Sequence, residues 1–486
     1  LEELVTEWLR FYGPVPPGLI DDTFGISRER RDDLVAELVE DEQAVLDRLS
    51  AGSDELQVCD RENLEILLRI SRARARPSLQ ALPAALLPLF LARRHGLGRR
   101  ESTPEDMKPV WETLFGYPLA AHLWEEEVLP ARLPGFSTRW LDGLFADGGV
   151  AWLGCGPRRL TFCFSPDAEL FREAPSSDEP PGVLPGAAGK YSFWDIVDYA
   201  RAVAPPVADT AEVARRLWGL AWKGLVTSDS FEPVRRGLAT GFRAEEAPRD
   251  SLRRGLRFNR WQATRPASGY WSAIPTAPGA RDALEEEELS RDRARQVLRR
   301  CGVVFRELLE NELPLLRWSR LFRTLRLMEF SGEVVSGRFF EGPAGVQFAL
   351  PSVIEELSVL AAADESVWWI NAADPASLCG VDIPALKALL PSRLSSTHVV
   401  FHGARVVLVS RRRGREMEIR VPPDSSRLTE YLGFVRVLTG RDARAMTAVH
   451  VQTINGEPAL ASAWKGPLLA AGFVEEYQRL TFVARP

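Results

Sequence analysis

Cysteine, histidine and lysine are all scarce in this 486-residue chain, with five of each. The cysteines (Cys59, Cys155, Cys163, Cys301, Cys379) are scattered, odd in number and never in C-x-x-C spacing. That argues against both a disulfide framework and a structural zinc site. With so few lysines, arginine carries nearly all the positive charge, and guanidinium is the better phosphate ligand and base-stacking group. No apolar run reaches 18 residues and no signal peptide opens the chain, so a soluble cytoplasmic protein with no membrane partner is expected. The chain begins at Leu1-Glu2 without an initiator methionine and runs straight into a helical pattern, as an excised fragment would. The net charge of −6 is not that of a generic nucleic-acid coat. Any such binding must come from local basic patches.

Several chemistries are absent. A P-loop needs G-x-x-x-x-G-K-[ST], so that backbone amides cradle phosphates and the hydroxyl holds magnesium. The one Gly-Lys pair, Gly189-Lys190, is followed by Tyr191 and has Leu184 where the first glycine belongs. No acidic box of the DEAH kind lies on an apolar strand, so the chain alone is expected neither to hydrolyse ATP nor to hold a cofactor. His398 and His402 flank the strand VVF on one face, with no further ligand type beside them. They read as edge-strand histidines of a barrel, not as a metal site. The run WEEEV (Trp124–Val128) reads as a solvated helix face or as an ion-pair partner for Arg132, because consecutive glutamates on an α-helix do not converge. No catalytic residue can be nominated.

What is present is a cadence. An amphipathic helix, a small turn, a strand, a polar turn and a second strand recur at Leu34–Val58, Trp140–Phe164, Val213–Val234 and Arg320–Leu350, with a fainter copy at Leu468–Val483. Leucines at i, i+3, i+4 and i+7 give way to period-two alternation. Gly149, Gly224, Gly332 and Gly472 sit where each helix must end in left-handed backbone. Helices followed by a two-stranded hairpin describe a winged helix. The hydrophobic fraction of 45% suits globular domains, and the length calls for several.

The expected fold class is α+β, tandem winged-helix modules plus a small β-barrel or sheet. The expected modules are a winged helix with a trailing helix over 1–76, a second winged helix over 77–172 and a linker over 173–189. A third winged helix over 190–263 and a loop region over 264–288, which takes in the run Glu285–Glu288, come next. A fourth winged helix over 289–360 precedes a barrel-like β-rich stretch over 361–424 and a winged-helix-like end over 425–486.

Three segments carry the pattern expected for nucleic-acid contact. Ser251–Ser272 interleaves Arg253, Arg254, Arg257, Arg260 and Arg265 with Trp261 and Trp271, guanidinium for phosphates and aromatic faces for unpaired bases. The bland alternative is an arginine-rich loop tied to the acidic run Glu285–Glu288. Arg411, Arg412 and Arg413 form an exposed hairpin tip. Arg317, Arg320, Arg323 and Arg326 recur every three residues along one helix as a basic stripe.

The phrases WEEEVLPARLPGFSTRWLDGLFADGGVAWLG (Trp124–Gly154), CGVVFRELL (Cys301–Leu309), GEVVSGRFFEGPAGVQFALP (Gly332–Pro351) and NAADPASLCG (Asn371–Gly380) resemble the C-terminal region of Lhr-type, large helicase-related bacterial DNA helicases. That resemblance covers most of the chain. It implies a parent motor using ATP and Mg on the same polypeptide, 3′-to-5′ tracking in DNA repair, and a C-terminal string of winged helices plus a β-barrel that drives homo-oligomer formation. DNA, single-stranded, is the implied partner. At SGYWS (Ser268–Ser272), Tyr270 stands where such proteins carry arginine, which removes one contact. The region also resembles winged-helix DNA glycosylases, which hold the attacking water with Gln-Φ-Asp or Gln-Φ-Gln. The nearest strand here, Gln452-Thr453-Ile454, lacks the second polar group. Base excision is therefore the alternative reading, and a pure protein scaffold the third.

Overall fold

Leucine spacing and one capped turn build the first of two units into which the chain divides, Leu1–Leu79 and Gln80–Pro486. The computed structural model describes residues 1–50, 52–75, 80–173, 182–186, 188–203, 209–242, 269–275, 281–360 and 364–483. In the first unit, helices α1 (Glu2–Leu9), α2 (Gly18–Phe24) and α3 (Arg28–Glu40) precede an antiparallel hairpin, β1 (Ala44–Asp47) and β2 (Gln57–Asp60), and then α4 (Arg61–Ala75). The Ser27 hydroxyl caps α3 by accepting from the Arg30 amide. Val5, Leu9, Ile20, Leu34, Leu38 and Val58 close the core.

The second unit opens with α5 (Leu87–Arg94), α6 (Met107–Thr113) and β3 (Leu119–Ala120). Next, α7 (Ala121–Leu123) passes through a π-helical turn at Trp124–Val128 into α8 (Leu129–Arg132). Helix α9 (Thr138–Ala146) leads into a wing, β4 (Val150–Gly154) and β5 (Arg159–Phe164), with strand order β3-β5-β4. This wing is not free. Strand β4 abuts the end of α11 (Thr210–Trp222), which follows α10 (Phe193–Ala202). A Cβ on Gly154 would lie 1.9 Å from the Ala221 carbonyl oxygen, so only glycine permits the approach. Within the stretch read as a linker, Val183 and Leu184 are described, and both are buried in the shared core.

The third phrase departs from expectation. After β6 (Val226–Ser228) the chain forms α12 (Glu232–Thr240), and the partner strand is the distant β7 (Trp271–Ala273). Pro233, without an amide hydrogen, suits a first helical turn and disfavours an inner strand. A second difference lies at the acidic run Glu285–Glu288. Expected in a loop, it opens α13 (Ala283–Cys301), where Asp282 and Glu285 form a capping box and carboxylates favour the positive end of the helix dipole.

Strand β8 (Val303–Val304), helix α14 (Trp318–Phe330) and the wing β9 (Val335–Gly337) and β10 (Gln347–Ala349) follow, in strand order β8-β10-β9, and then α15 (Val353–Ser358). The β-rich stretch holds β11 (Val367–Asn371), α16 (Pro384–Lys387), β12 (His398–His402), β13 (Arg405–Arg411) and β14 (Glu416–Ile419). Helices α17 (Leu428–Tyr431) and α18 (Gly433–Gly440) come next. The run AVHVQTING, residues 448–456, splits between two sheets. Its first half, β15 (Ala448–Val451), pairs with the C-terminal wing. Its second half, β16 (Thr453–Ile454), pairs parallel to β14 and turns into β17 (Glu457–Pro458). The resulting six-stranded sheet, β11-β12-β13-β14-β16-β17, is open, and no closed barrel occurs among the described residues. Helix α19 (Lys465–Ala470), β18 (Val474–Glu476) and β19 (Arg479–Val483) end the chain. All four cadence glycines have the left-handed backbone required of them, Gly149 at φ 83°, Gly224 at 70°, Gly332 at 80° and Gly472 at 104°.

One buried ion pair ties the helices to the sheet. Arg132 and Asp374 are 242 residues apart, both fully buried, and meet bidentately at 2.7 Å and 2.7 Å. The His95 ring stays neutral, its pKa held well below the ordinary value by burial and then by Arg132, so its Nδ1 can accept from the guanidinium at 3.3 Å. An ion pair between Arg132 and the glutamate run, one of the two readings of that run, is not formed among the described residues. Removing one partner leaves an uncompensated charge in the core. Asp374→Asn is expected to destabilise the fold by about 3–5 kcal/mol in urea denaturation, whereas Arg132→Met combined with Asp374→Leu costs clearly less.

Candidate nucleic-acid interface and polar cavity

A winged helix presents nucleic acid with the helix that precedes its wing. In the fourth module that helix is α14, whose apolar stripe Leu321, Leu325 and Met328 is buried. The opposite face carries Arg320 and Arg323, both exposed, with side chains that have no ion-pair or hydrogen-bond partner among the described residues. Their neighbours are engaged: Arg326 pairs with Glu329, and Arg317 Nε donates to the Glu312 carbonyl. Arg338 on the wing is also exposed. The equivalent helix of the second module, α9, is already occupied at its start. There Asp442 accepts from the Ser137 hydroxyl at 2.9 Å and the Thr138 amide at 2.9 Å.

The other arginines and tryptophans expected at nucleic acid fall elsewhere. Arg253, Arg254, Arg257, Arg260, Trp261 and Arg265 lie outside the described residues. Trp271 is fully buried in β7, where its ring lies 5.4 Å from Trp218 and 5.9 Å from Trp152, so its faces are not offered to a base. At the β13–β14 turn, Arg411 pairs with Glu418 at 2.8 Å and Arg412 with Glu416 at 2.8 Å. Arg413 instead lines a cavity of about 290 Å³.

That cavity was not read from the sequence. His122 reaches it from α7, Glu126 and Glu127 from the π turn, Ser395 and His398 from the start of β12, and Arg441 and Arg444 from the loop after α18. The expectation of a solvated glutamate face is overturned, since Glu125 and Glu127 are buried. The widened turn also brings Glu126 and Glu127 to one cavity, whereas an ordinary α-helix would splay them. Glu125 goes the other way and pairs with Arg235 of α12 at 2.7 Å. Pro130 supplies the local cause: without an amide hydrogen it cannot bond the carbonyl of Glu126, four residues earlier. Arg441 takes that carbonyl instead, and also meets the Glu127 carboxylate at 3.0 Å. Pro130, four residues after Glu126, was the one sequence signal available.

His398 lies on an interior strand, not an edge, because β12 runs between β11 and β13. It is 2% exposed, and its Nε2 meets Glu127 at 2.8 Å, while Nδ1 has no partner among the described residues. His402, past a bulge at Val400/Phe401, serves a separate cluster with Glu365 at 2.7 Å and Tyr431 at 3.0 Å. Burial alone would raise the Glu127 carboxyl, but His398 and then Arg441 outweigh it and hold the group below its ordinary value. Burial raises Glu126 against the pull of Arg441 and Arg444. No grouping of three or more His, Cys, Asp or Glu side chains among the described residues is placed to hold a metal ion.

A carboxylate with a depressed folded pKa stabilises the fold above its unfolded value of about 4.3, and that contribution is lost as pH falls through the folded value. Glu127→Gln is therefore expected to be less stable than wild type at pH 7. The gap should narrow as pH falls below about 4. Urea midpoints across that range test this, and a constant gap would count against it.

Among known proteins, the family described as large helicase-related protein, winged-helix domain, matches twice, its third-domain form at residues 82–163 and its fourth-domain form at 283–369. A Mycolicibacterium smegmatis protein named Lhr helicase/probable uracil glycosylase is 28% identical over 380 residues, 74% of this chain and 24% of that protein. An Escherichia coli protein named Lhr helicase/uracil glycosylase is 29% identical over 342 residues, 63% of this chain and 22% of that protein. The chain thus spans about a quarter of the length of these curated relatives. Among solved structures, the Streptomyces sahachiroi DNA glycosylase AlkZ overlaps at a TM-score of 0.45 with 16% identity, over 75% of this chain and 97% of that one. No helix among the described residues is long and apolar enough to cross a membrane.

Proposed function

We propose that this chain, which carries two winged-helix domains of the Lhr type and resembles the C-terminal region of Lhr-type helicases, holds DNA for a motor on the same polypeptide. ATP and Mg belong to that motor. The observation that carries this reading is the exposed Arg320 and Arg323, unpaired among the described residues, on the helix that precedes the wing. The arginine and aromatic segment from Arg253 to Arg265 adds a single-strand contact. The whole acts in DNA repair in the cytoplasm and assembles as a homo-oligomer.

Combined Arg320→Glu and Arg323→Glu substitution is expected to weaken binding of a single-stranded oligonucleotide about tenfold or more. It should also flatten the salt dependence by about 1.4 in log–log slope, roughly 0.7 for each phosphate that is no longer neutralised. Fluorescence anisotropy at several salt concentrations measures both. Unchanged affinity and slope would leave a protein scaffold as the better account. Light scattering of the purified chain tests assembly, and a monomer at micromolar concentration would remove the homo-oligomer from the reading.

A second reading is base excision, favoured by the polar cavity with its buried Glu127 and His398 and by the names of the two relatives. Against it, Gln452 is exposed and lacks the second polar group of the glycosylase motif. The test is strand scission after alkali treatment of a uracil-containing oligonucleotide incubated with the chain. Scission abolished by Glu127→Gln would favour this reading, and intact strands would retire it.

A further inference from the structure

The polar cavity holds more positive charge than its own carboxylates neutralise. Three arginines face two glutamates there. Arg441 is consumed by Glu126 and Glu127, at 3.7 Å and 3.0 Å. Arg444 is half engaged, 3.1 Å from Glu126 with its side chain 56% exposed. Arg413 has no ion pair or side-chain hydrogen bond among the described residues. His122 reports the same imbalance: its pKa is lowered, first by burial and then by Arg444 and Arg413.

The backbone points the same way. Arg413 has φ 56° and Arg444 φ 47°, left-handed conformations in which asparagine or glycine would be at ease and arginine is not. Arg412 shares that backbone, at φ 51°, but pairs with Glu416, whereas Arg413 and Arg444 deliver guanidinium groups to one concavity from separate segments of the chain. An anion supplies what this arrangement lacks: negative charge and several acceptors for guanidinium donors.

Metal binding is disfavoured by the donor geometry already described. A continuous duplex backbone suits an open groove more than a concavity. The space, about 290 Å³, is many times what a single water needs. That is room for a chain end. We propose that this cavity binds the terminal phosphate of a nucleic-acid strand, with Arg413 and Arg444 as its ligands. The choice of a strand as the source rests on the DNA-holding reading; the affinity for phosphate does not.

The test uses the full chain with oligonucleotides of one sequence ending in a 5′-phosphate, a 3′-phosphate or hydroxyls only, and separately with inorganic phosphate. Arg413→Asn and Arg444→Asn keep a residue that tolerates left-handed backbone while removing the charge. The wild type is expected to prefer one phosphorylated end by about tenfold over the hydroxyl-ended strand, as charge-assisted hydrogen bonds provide. Which end is preferred gives the polarity. Inorganic phosphate should abolish that preference without releasing the hydroxyl-ended strand, and the double asparagine variant should show none. Charge reversal at Arg320 and Arg323 should lower affinity for all strands and keep the ratio.

Calorimetry with inorganic phosphate alone should find one site in the wild type and none in the double variant, whether or not the chain holds DNA. No phosphate binding to the wild type, or an end preference that survives in the double variant, overturns the proposal. Phosphate bound without any end preference overturns the strand as its source.

Discussion

The pairing of Arg132 with Asp374 in a fully buried interior is the constraint on which the second unit depends. An arginine and an aspartate each buried alone would cost several kcal/mol; buried together, with the geometry bidentate, they are tolerable only in one relative placement of helix and sheet. That placement is reinforced by Arg393, which reaches Tyr117 and the Asp374 carbonyl. Apolar contact could slide by a fraction of a turn. These directional bonds cannot.

Fixing that placement has a chemical consequence nearby. Asn371, three residues before Asp374, ends β11, and its neighbour across the sheet, His398, arrives at Glu127. The π turn sets the direction of Glu126 and Glu127, and Pro130 leaves a carbonyl that Arg441 takes. A local irregularity and a long-range ion pair therefore cooperate to put charged groups around a shared concavity. The exposed stripe on α14 has no such history. It needs only a helix whose opposite face is apolar.

Much of the order of elements was legible from residues alone. Cadence glycines marked the helix ends, and helix-to-hairpin order held at Leu34–Val58, Trp140–Phe164 and Arg320–Leu350. Where reading failed, the missing information was distant. At β6 the partner strand lies far along the chain, beyond a further helix, so proximity suggested a hairpin that is not there. AVHVQTING reads as one strand, but its two halves obey different sheets. Trp271 looked like a stacking face because burial among other tryptophans leaves no local signature.

The sequence by itself determined what short-range physics can determine. Periodicity, capping and backbone permissiveness act within a few residues, so the helices and most of the wings were written into the chain. The tertiary structure alone decided which charges are spent and which are left over. Arg411 and Arg412 are neutralised by Glu418 and Glu416 on the next strand, while Arg413, adjacent in sequence, lines a cavity shared with the groups of the distant π turn. Charge compensation is a property of three-dimensional distance and burial, and neighbouring residues in sequence need not share either.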